Sequence, residues 1–105
     1  MTSISIVTVC RNSTDVIATC LDSVARQTHP GIEHNLVDGA STDDTCKIID
    51  TFAHVAKRVS EPGRGLYDAM YKGIGKSSED VVGILNSDDF YPNLTVIAKV
   101  AEGFD

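Results

Sequence analysis

The sequence predicts an α/β domain with a three-layer α/β/α arrangement, in which helices cover both faces of a mostly parallel four-stranded sheet. Apolar, β-branched segments alternate with segments of helical periodicity along the chain. Each apolar segment is followed directly by polar residues or glycine, as is typical of strand ends. The 105 residues are enough for one compact domain but not for two. We therefore expect a single domain over residues 1–105, with parallel strands joined by right-handed crossovers.

The first predicted unit is a strand followed by an amphipathic helix. Residues 3–10 are mostly apolar or β-branched and predict the strand. Asn12 or Ser13 can cap a helix that continues to about Gln27. Its buried stripe has helical spacing and consists of Val16, Ile17, Cys20, Leu21 and Val24. The unit ends at the turn sequence of residues 29–31.

The second predicted unit repeats this pattern. Residues 32–37 predict a strand that runs into a polar loop over residues 38–45. Within the loop, Ser41 and Asp44 have the spacing of a weak capping box. The helix that follows presents an apolar face formed by Ile48, Ile49 and Phe52.

Two further strands and two further helices complete the predicted domain. A short third strand over residues 55–59 ends in the loop of residues 60–65. A helix from about residue 66 to residue 74 is expected next. The fourth strand covers residues 81–85, and a last helix covers residues 93–102.

Charge and hydropathy exclude several classes of function. The net charge of −6 argues against non-specific nucleic-acid binding, which requires clustered Lys and Arg. No apolar run approaches the roughly 20 residues that cross a membrane, so no transmembrane segment is expected. The first residues lack the basic start and apolar core of a signal peptide. We therefore expect a cytoplasmic protein, either free or peripheral at the inner membrane face.

Cysteine and histidine show no metal-ligand spacing. The three cysteines are odd in number and contain no CxxC pair, so we expect three reduced thiols with at least two in the core. The three histidines, His29, His34 and His54, likewise form no ligand motif, and we expect them on the surface or in loops.

The most informative segment is the fourth predicted strand with the residues that follow it. Its apolar run stops at Asn86-Ser87-Asp88-Asp89. Two adjacent carboxylates repel each other unless a positive group lies near them, and Mg²⁺ or Mn²⁺ prefers such oxygen ligands. The alternative is an ordinary strand-to-helix turn, in which aspartate is also common. On this segment alone the two interpretations are equally favoured.

The ends of all four predicted strands are polar or glycine-containing. In a parallel sheet these ends lie on one edge, where α/β proteins bind their ligands, so the four loops can line a single cleft. Neither the dinucleotide fingerprint GxGxxG nor the P-loop GxxxxGK[ST] is present, which argues against an NAD enzyme and a classical NTPase. A nucleotide would have to be bound by carboxylates and a metal instead.

Four segments together resemble the family 2 glycosyltransferases, which have the Rossmann-like GT-A fold. They are residues 5–12, 37–45, 60–70 and 83–89, and their order and spacing match the family over essentially the whole chain. The resemblance implies strand order 3-2-1-4 and inverting, metal-dependent transfer from a nucleotide-sugar donor, most often a UDP-sugar. It also implies a Mg²⁺ or Mn²⁺ cofactor. The acceptor would be a saccharide or lipid-linked molecule in cell-surface polysaccharide or glycoconjugate synthesis.

The resemblance assigns donor-binding roles to the first three motifs. Thr8 and Val9 would lie along the base and ribose through their backbone, beside Arg11. Asp38 would hydrogen-bond the base, typically uracil. In the third motif, Arg64 and Asp68 would lie on the base and diphosphate side of the donor. Each role has a plain structural alternative, which for Asp38 is a loop-forming residue and for Asp68 an exposed helix residue.

The fourth motif stands in the place of the family's DxD motif. Asp88 would bind the metal, Asn86 would contact the ribose or sugar, and Ser87 would lie between them. Asp89 would contact the sugar or support the metal site. Asn86 replaces the first Asp of the family pattern, which is a DxD-like variant.

The larger departure from the family is length. Family members are considerably longer, and the carboxylate base that deprotonates the acceptor lies well after the DxD motif. No candidate for this base is found here, so the chain is expected to be the truncated nucleotide-binding portion. An alternative is a catalytically silent nucleotide-binding or interaction module that self-associates through an exposed sheet edge. A nucleotidyltransferase is less favoured, because the loop after the first strand is neither glycine-rich nor basic.

Overall fold

The computed structural model describes residues 2–62, 74–75 and 79–105. The elements with defined bounds are one four-stranded sheet and three helices: a helix follows each of the first two strands, the third and fourth strands come next, and the last helix ends the chain. The strands are β1 (Ile4–Cys10), β2 (Ile32–Asp38), β3 (Val55–Ser60) and β4 (Val81–Ile84). The helices are α1 (Ile17–Ala25), α2 (Thr45–Asp50) and α3 (Val96–Phe104).

The sheet has the strand order β3-β2-β1-β4, and each of its pairings is parallel. The predicted order and direction are therefore confirmed. The register pairs Cys10 with Asp38 and Asp38 with Ser60, so the ends of three strands lie side by side. Their loops consequently begin from neighbouring points on one edge.

The three helices of the described part pack on one face of the sheet. One cluster joins β1 with α1 and α3, and a second joins β1 and β2 with α1 and α2. The opposite face carries the buried side chains of Val7 and Val37. The helix predicted over residues 66–74 falls outside the described residues except at Ile74, so helix packing on this second face stays a prediction. None of the described helices has both the length and the apolar character that crossing a bilayer requires.

Helix α1 begins later than predicted, and the prediction that Asn12 or Ser13 caps it was wrong. Asn12 has a φ of 46°, in the left-handed region that Asn tolerates better than most residues. The chain then turns, and the carbonyl of Ser13 accepts from the backbone N–H of Val16 and of Ile17. The residue before the helix, Val16, makes no side-chain capping bond. The polar residues therefore shape the loop instead of starting the helix.

The other two helix starts are also set by turns. The Ser41–Asp44 capping box does not form, because the Ser41 hydroxyl donates to Asp38. Before α2, the carboxylate of Asp43 accepts from the backbone N–H and the hydroxyl of Thr45. Before α3, Asn93 accepts in the same way, which delays the helix to Val96.

The prediction that all three histidines lie on the surface or in loops was wrong for His34. His34 is fully buried in β2, where its ring lies between Thr8 and His54. Its Nε2 is 2.8 Å from Thr8 Oγ1, and its Nδ1 is 3.0 Å from His54 Nε2. His29 is also buried, with 8% of its surface exposed. The expectation for the thiols is confirmed, because all three cysteines are free, two of them buried.

Candidate functional site

The loops after β1 and β2 are joined directly at the carboxyl edge of the sheet. The backbone N–H of Gly39 donates to the carbonyl of Cys10 at 2.9 Å. The N–H of Asn12 donates to the Ser41 hydroxyl at 2.8 Å, and Asn12 Oδ1 accepts from the N–H of Thr42 at 2.9 Å. These bonds account for the left-handed backbone of Asn12, because both its main-chain N–H and its side-chain oxygen are bonded to the second loop.

Asp38 is the centre of this edge. Its side chain is fully buried. Oδ1 accepts from the Ser41 hydroxyl and from Cys10 Sγ at 3.4 Å, while Oδ2 accepts from the Ser41 N–H at 2.8 Å and the Ser60 hydroxyl at 2.7 Å. Burial acts to raise the pKa of Asp38, but the hydrogen bonds from Ser41 and Ser60 together hold that pKa below its ordinary value. Asp38 therefore joins the ends of β1, β2 and β3 as an ionised acceptor.

The loop after β4 reaches the same edge. The hydroxyls of Ser13 and Ser87 are 3.3 Å apart, and Cys20 Sγ donates to the carbonyl of Asn86 at 3.7 Å. The N–H of Ser13 also donates to Thr45 Oγ1 at 2.8 Å, which links the first loop to α2. In the described residues all four strand ends thus converge, as the sequence predicted.

The adjacent carboxylates Asp88 and Asp89 are exposed at this edge. They lie in a turn in which the N–H of Asp89 donates to the carbonyl of Asn86 at 3.0 Å. Among the described residues no three Asp, Glu, His or Cys side chains are grouped so that they could hold a metal ion by themselves. Mg²⁺ and Mn²⁺ sites with only one or two protein carboxylates are completed by water and ligand phosphates. The two aspartates fit that type of site, in which a diphosphate supplies the remaining oxygens.

Arg11 provides a positive charge at the same edge of the sheet, in the loop after β1. The residue is exposed, and its side chain lies along Gly39, with Cβ and Cδ each 3.6 Å from where a Cβ on that glycine would be. None of the ion pairs among the described residues involves Arg11. Its guanidinium can therefore receive an anionic ligand, for which its planar donors are well suited.

Thr8 and Val9 lie deeper than the loop residues. Thr8 is fully buried, and its hydroxyl is 2.8 Å from His34 Nε2 and 3.8 Å from Cys20 Sγ. Val9 is partly buried on the opposite face, against Val7 and Val37. The side chain of Thr8 therefore cannot contact a ligand, and a contact through its backbone, as predicted, is the one that can still form. The other two predicted site residues, Arg64 and Asp68, lie outside the described residues.

Sequence reasoning missed the hydroxyl residues that hold the loops together. Ser13, Ser41, Ser60 and Thr45 each bond to another loop or strand end. The available signal was their position, because each follows or ends a predicted strand or begins a predicted helix. Composition gives no means of distinguishing such residues from ordinary polar loop residues.

Comparison with known sequences identifies the family. The family model described as Glycosyl transferase family 2 matches residues 5–105. The PGL/p-HBAD biosynthesis glycosyltransferase of Mycobacterium tuberculosis (strain ATCC 25177 / H37Ra) is 37% identical over 94 residues. That match covers 86% of this chain and 37% of the relative, so the chain spans well under half of the relative's length.

Solved structures show the same fold. The S. aureus TarS fragment 1–349, crystallised in complex with UDP, superposes with a TM-score of 0.85 and 25% identity over 95% of this chain and 31% of that one. The mannosyltransferase PcManGT from Pyrobaculum calidifontis, in complex with GDP-Man and Mn²⁺, gives a TM-score of 0.89 at 24% identity, covering 96% of this chain and 32% of that one. With the family match over nearly all of its length, the chain belongs to glycosyl transferase family 2.

Proposed function

We propose that this chain binds the nucleotide-sugar donor of an inverting, metal-dependent glycosyltransferase. The observation that carries the proposal is the meeting of four strand-end loops around exposed Arg11, Asp88 and Asp89. A cationic side chain and a pair of carboxylates at one edge of the sheet suit a diphosphate bound with a divalent metal. The acceptor would be a saccharide or lipid-linked molecule in cell-surface polysaccharide or glycoconjugate synthesis.

The proposed site places the diphosphate between Arg11 and the turn at Asp88. Asp88 would hold Mg²⁺ or Mn²⁺, with Asp89 beside it, while Asn86 and Ser87 contact the ribose or sugar. The metal, when bound, would act as a Lewis acid that neutralises charge on the leaving diphosphate. Arg11, which the family resemblance assigns to the base and ribose, would in this proposal also orient the diphosphate through charge-assisted hydrogen bonds. The Mn²⁺ in the PcManGT complex and the UDP in the TarS complex support this type of ligand.

The base and ribose would lie over the ends of β1 and β2. Thr8 and Val9 can contribute backbone groups there. A carboxylate offers about four lone-pair positions, and those of Asp38 already accept from Ser41, Ser60 and Cys10. A base that hydrogen-bonds Asp38 must therefore replace one of these donors. Arg64 and Asp68, from the third motif, complete the proposed donor site.

Calorimetric titration of UDP, with and without Mn²⁺, tests the proposal. We expect binding that depends on the metal and is lost in Asp88→Ala, because the described residues group no third carboxylate with Asp88 and Asp89. Asp80→Ala is the matched control, since Asp80 is exposed before β4, at the opposite end of that strand, and should leave binding unchanged. GDP is titrated in parallel, because the nucleotide itself is part of the proposal. Equal binding by both variants, or no binding of either nucleotide by folded protein, would contradict it.

A second candidate is a catalytically silent nucleotide-binding or interaction module. One observation favours an interaction module, namely that the apolar side chains of Val82 and Ile84 in β4 are exposed. No residue of this chain is assigned as the base that an inverting displacement requires within hydrogen-bond reach of the acceptor. Nucleotide binding without sugar transfer would favour this candidate, whereas transfer by the chain would exclude it.

A further inference from the structure

A groove of about 360 Å³ lies on the flank of α1, outside the cluster of strand-end loops. One wall is the outer side of α1, with Asp22 and Arg26, and the other is the segment from Phe90 to Leu94. Its volume is at the lower end of the range for small-molecule pockets. The mechanism proposed above does not use any of these residues.

The groove has a fixed shape, because hydrogen bonds attach its two walls to each other. The N–H of Tyr91 donates to Ser23 Oγ at 3.1 Å, and Gln27 Nε2 donates to the carbonyl of Asn93 at 2.7 Å. Gln27 Oε1 also accepts from the N–H of Ile97 at 3.0 Å. The side chain of Gln27, two residues after the end of α1, thus holds the loop and the start of α3 together.

The lining combines exposed apolar surface with paired charges. Phe90 is 57% exposed and Leu94 is 43% exposed. Beside them, Arg26 Nη1 and Asp22 Oδ2 are 3.6 Å apart, and both side chains are more than half exposed. The opposite charges make the groove nearly neutral while they offer donors and acceptors side by side. A free aromatic face provides apolar contact area for the C–H groups of a ligand.

These properties match a neutral, polyhydroxylated ligand better than an ion. Each hydroxyl group of a sugar can donate to a carboxylate and accept from a guanidinium, while the C–H face of the ring packs on an aromatic side chain. An anion would be repelled by Asp22, and a cation by Arg26. The chemical class that satisfies the whole lining is therefore a saccharide.

One end of the groove, at Phe90, lies next to the proposed diphosphate site, while its other end, at Arg26 and Leu94, lies toward the amino ends of the strands. Phe90 directly follows Asp89 in the chain, and consecutive Cα atoms are about 3.8 Å apart. We propose that the groove is a saccharide subsite that holds part of the acceptor beside the donor. Its assignment to the acceptor rests on the proposed function, whereas binding of a saccharide does not.

The test is a two-dimensional amide NMR titration of the 105-residue chain. The probes are methyl glycosides of glucose, mannose and N-acetylglucosamine, together with short oligosaccharides of each. We expect at least one probe to shift the amides of Arg26, Phe90 and Leu94, and Phe90→Ala to weaken its binding about tenfold. Phe104→Ala is the matched control, because Phe104 is 63% exposed on α3 and does not line the groove.

The outcomes separate this inference from the proposed function. The subsite would be supported by amide shifts that are confined to groove residues, are lost in Phe90→Ala and are kept in Phe104→Ala. Absence of groove shifts with every probe, or equal shifts in both variants, would overturn it. A parallel titration with UDP and Mn²⁺ reports on Arg11 and Asp88 independently. Nucleotide binding without saccharide binding refutes only the subsite, and the reverse result refutes only the donor site.

Discussion

At the scale of single residues, Asp38 stabilises the loops before any ligand binds. Asp38 is itself fully buried, and its replacement with alanine removes the acceptor that the hydroxyls of Ser41 and Ser60 share. We expect Asp38→Ala to lower the free energy of unfolding by about 2–4 kcal/mol. Urea denaturation followed by circular dichroism measures this loss. The control Asp50→Ala removes an exposed ion pair with Arg58 and should cost at most about 1 kcal/mol; equal losses would contradict the role of Asp38.

His34 makes the stability depend on pH. Burial, with a smaller contribution from neighbouring His54, lowers the pKa of His34 to about 3, against an ordinary value of 6.5. Below pH 6.5 the unfolded chain binds a proton that the folded chain does not, so the free energy of unfolding falls as the pH falls. His34 should contribute a slope of about 1.4 kcal/mol per pH unit to the free energy of unfolding. This slope is fully developed well below pH 6.5 and is lost again near pH 3, where the folded chain also binds the proton. Burial also lowers the pKa of His54, which acts in the same direction.

Denaturant unfolding at several pH values checks this prediction. The slope, and not the absolute stability, is the readout, because His34→Gln also removes packing. The variant should have a slope smaller by about half a proton at pH 6.5 and by nearly one proton near pH 5. The carboxylate of Asp38 does not interfere there, because its stabilising effect is lost only as the pH falls through its own, lower pKa. An unchanged slope in His34→Gln would refute the assignment.

At the scale of elements, the sequence predicted the strands and their order but not the starts of the helices. Apolar β-branched runs and crossover rules define a parallel sheet almost independently of detail. The helix starts depend on which local acceptor takes the free N–H groups. Asn12 and Asn93 make turns instead of caps, and Asp43 closes the turn before α2. Spacing alone does not distinguish these competing hydrogen bonds.

The position of the candidate site on the sheet was predictable from the sequence, and so were some of its residues. Strand ends in a parallel sheet must share an edge, so the convergence of the loops followed from topology. The internal role of Asp38 did not follow, because it depends on the register that sets Cys10 and Ser60 beside it. The burial of His34 was missed for a similar reason. Its position in β2 shares the helix-covered face with Leu36, but a polar residue gives no hydrophobic signal there.

At the scale of the whole molecule, β4 is an exposed edge of the described sheet. It pairs with β1, and among described strands with no other. Val82 and Ile84 are 36% and 39% exposed, which makes the edge apolar. Such edges favour pairing with a second chain. We therefore predict that the chain self-associates through β4 as its concentration rises.

Sedimentation velocity over a concentration series measures this association. Ile84→Lys should return the chain to a monomer, because a lysine on an edge strand opposes pairing. Val100→Lys, at a residue 45% exposed on α3, is the matched control and should associate like the original chain. A monomer at every concentration, or equal association of both variants, would rule out the β4 edge as the interface.

The hydroxyl contact between Ser13 and Ser87 has a consequence for how the chain folds. It joins residues 74 positions apart, across a loop whose closure is entropically costly. β4, the strand that brings Ser87 to the edge, is only four residues long. The first loop can meet the second through contacts about 30 residues apart, as in the bond between Asn12 and Thr42. We therefore expect the part of the site that holds Asp88 to assemble late in folding, and a ligand that binds both Arg11 and Asp88 to stabilise that last contact.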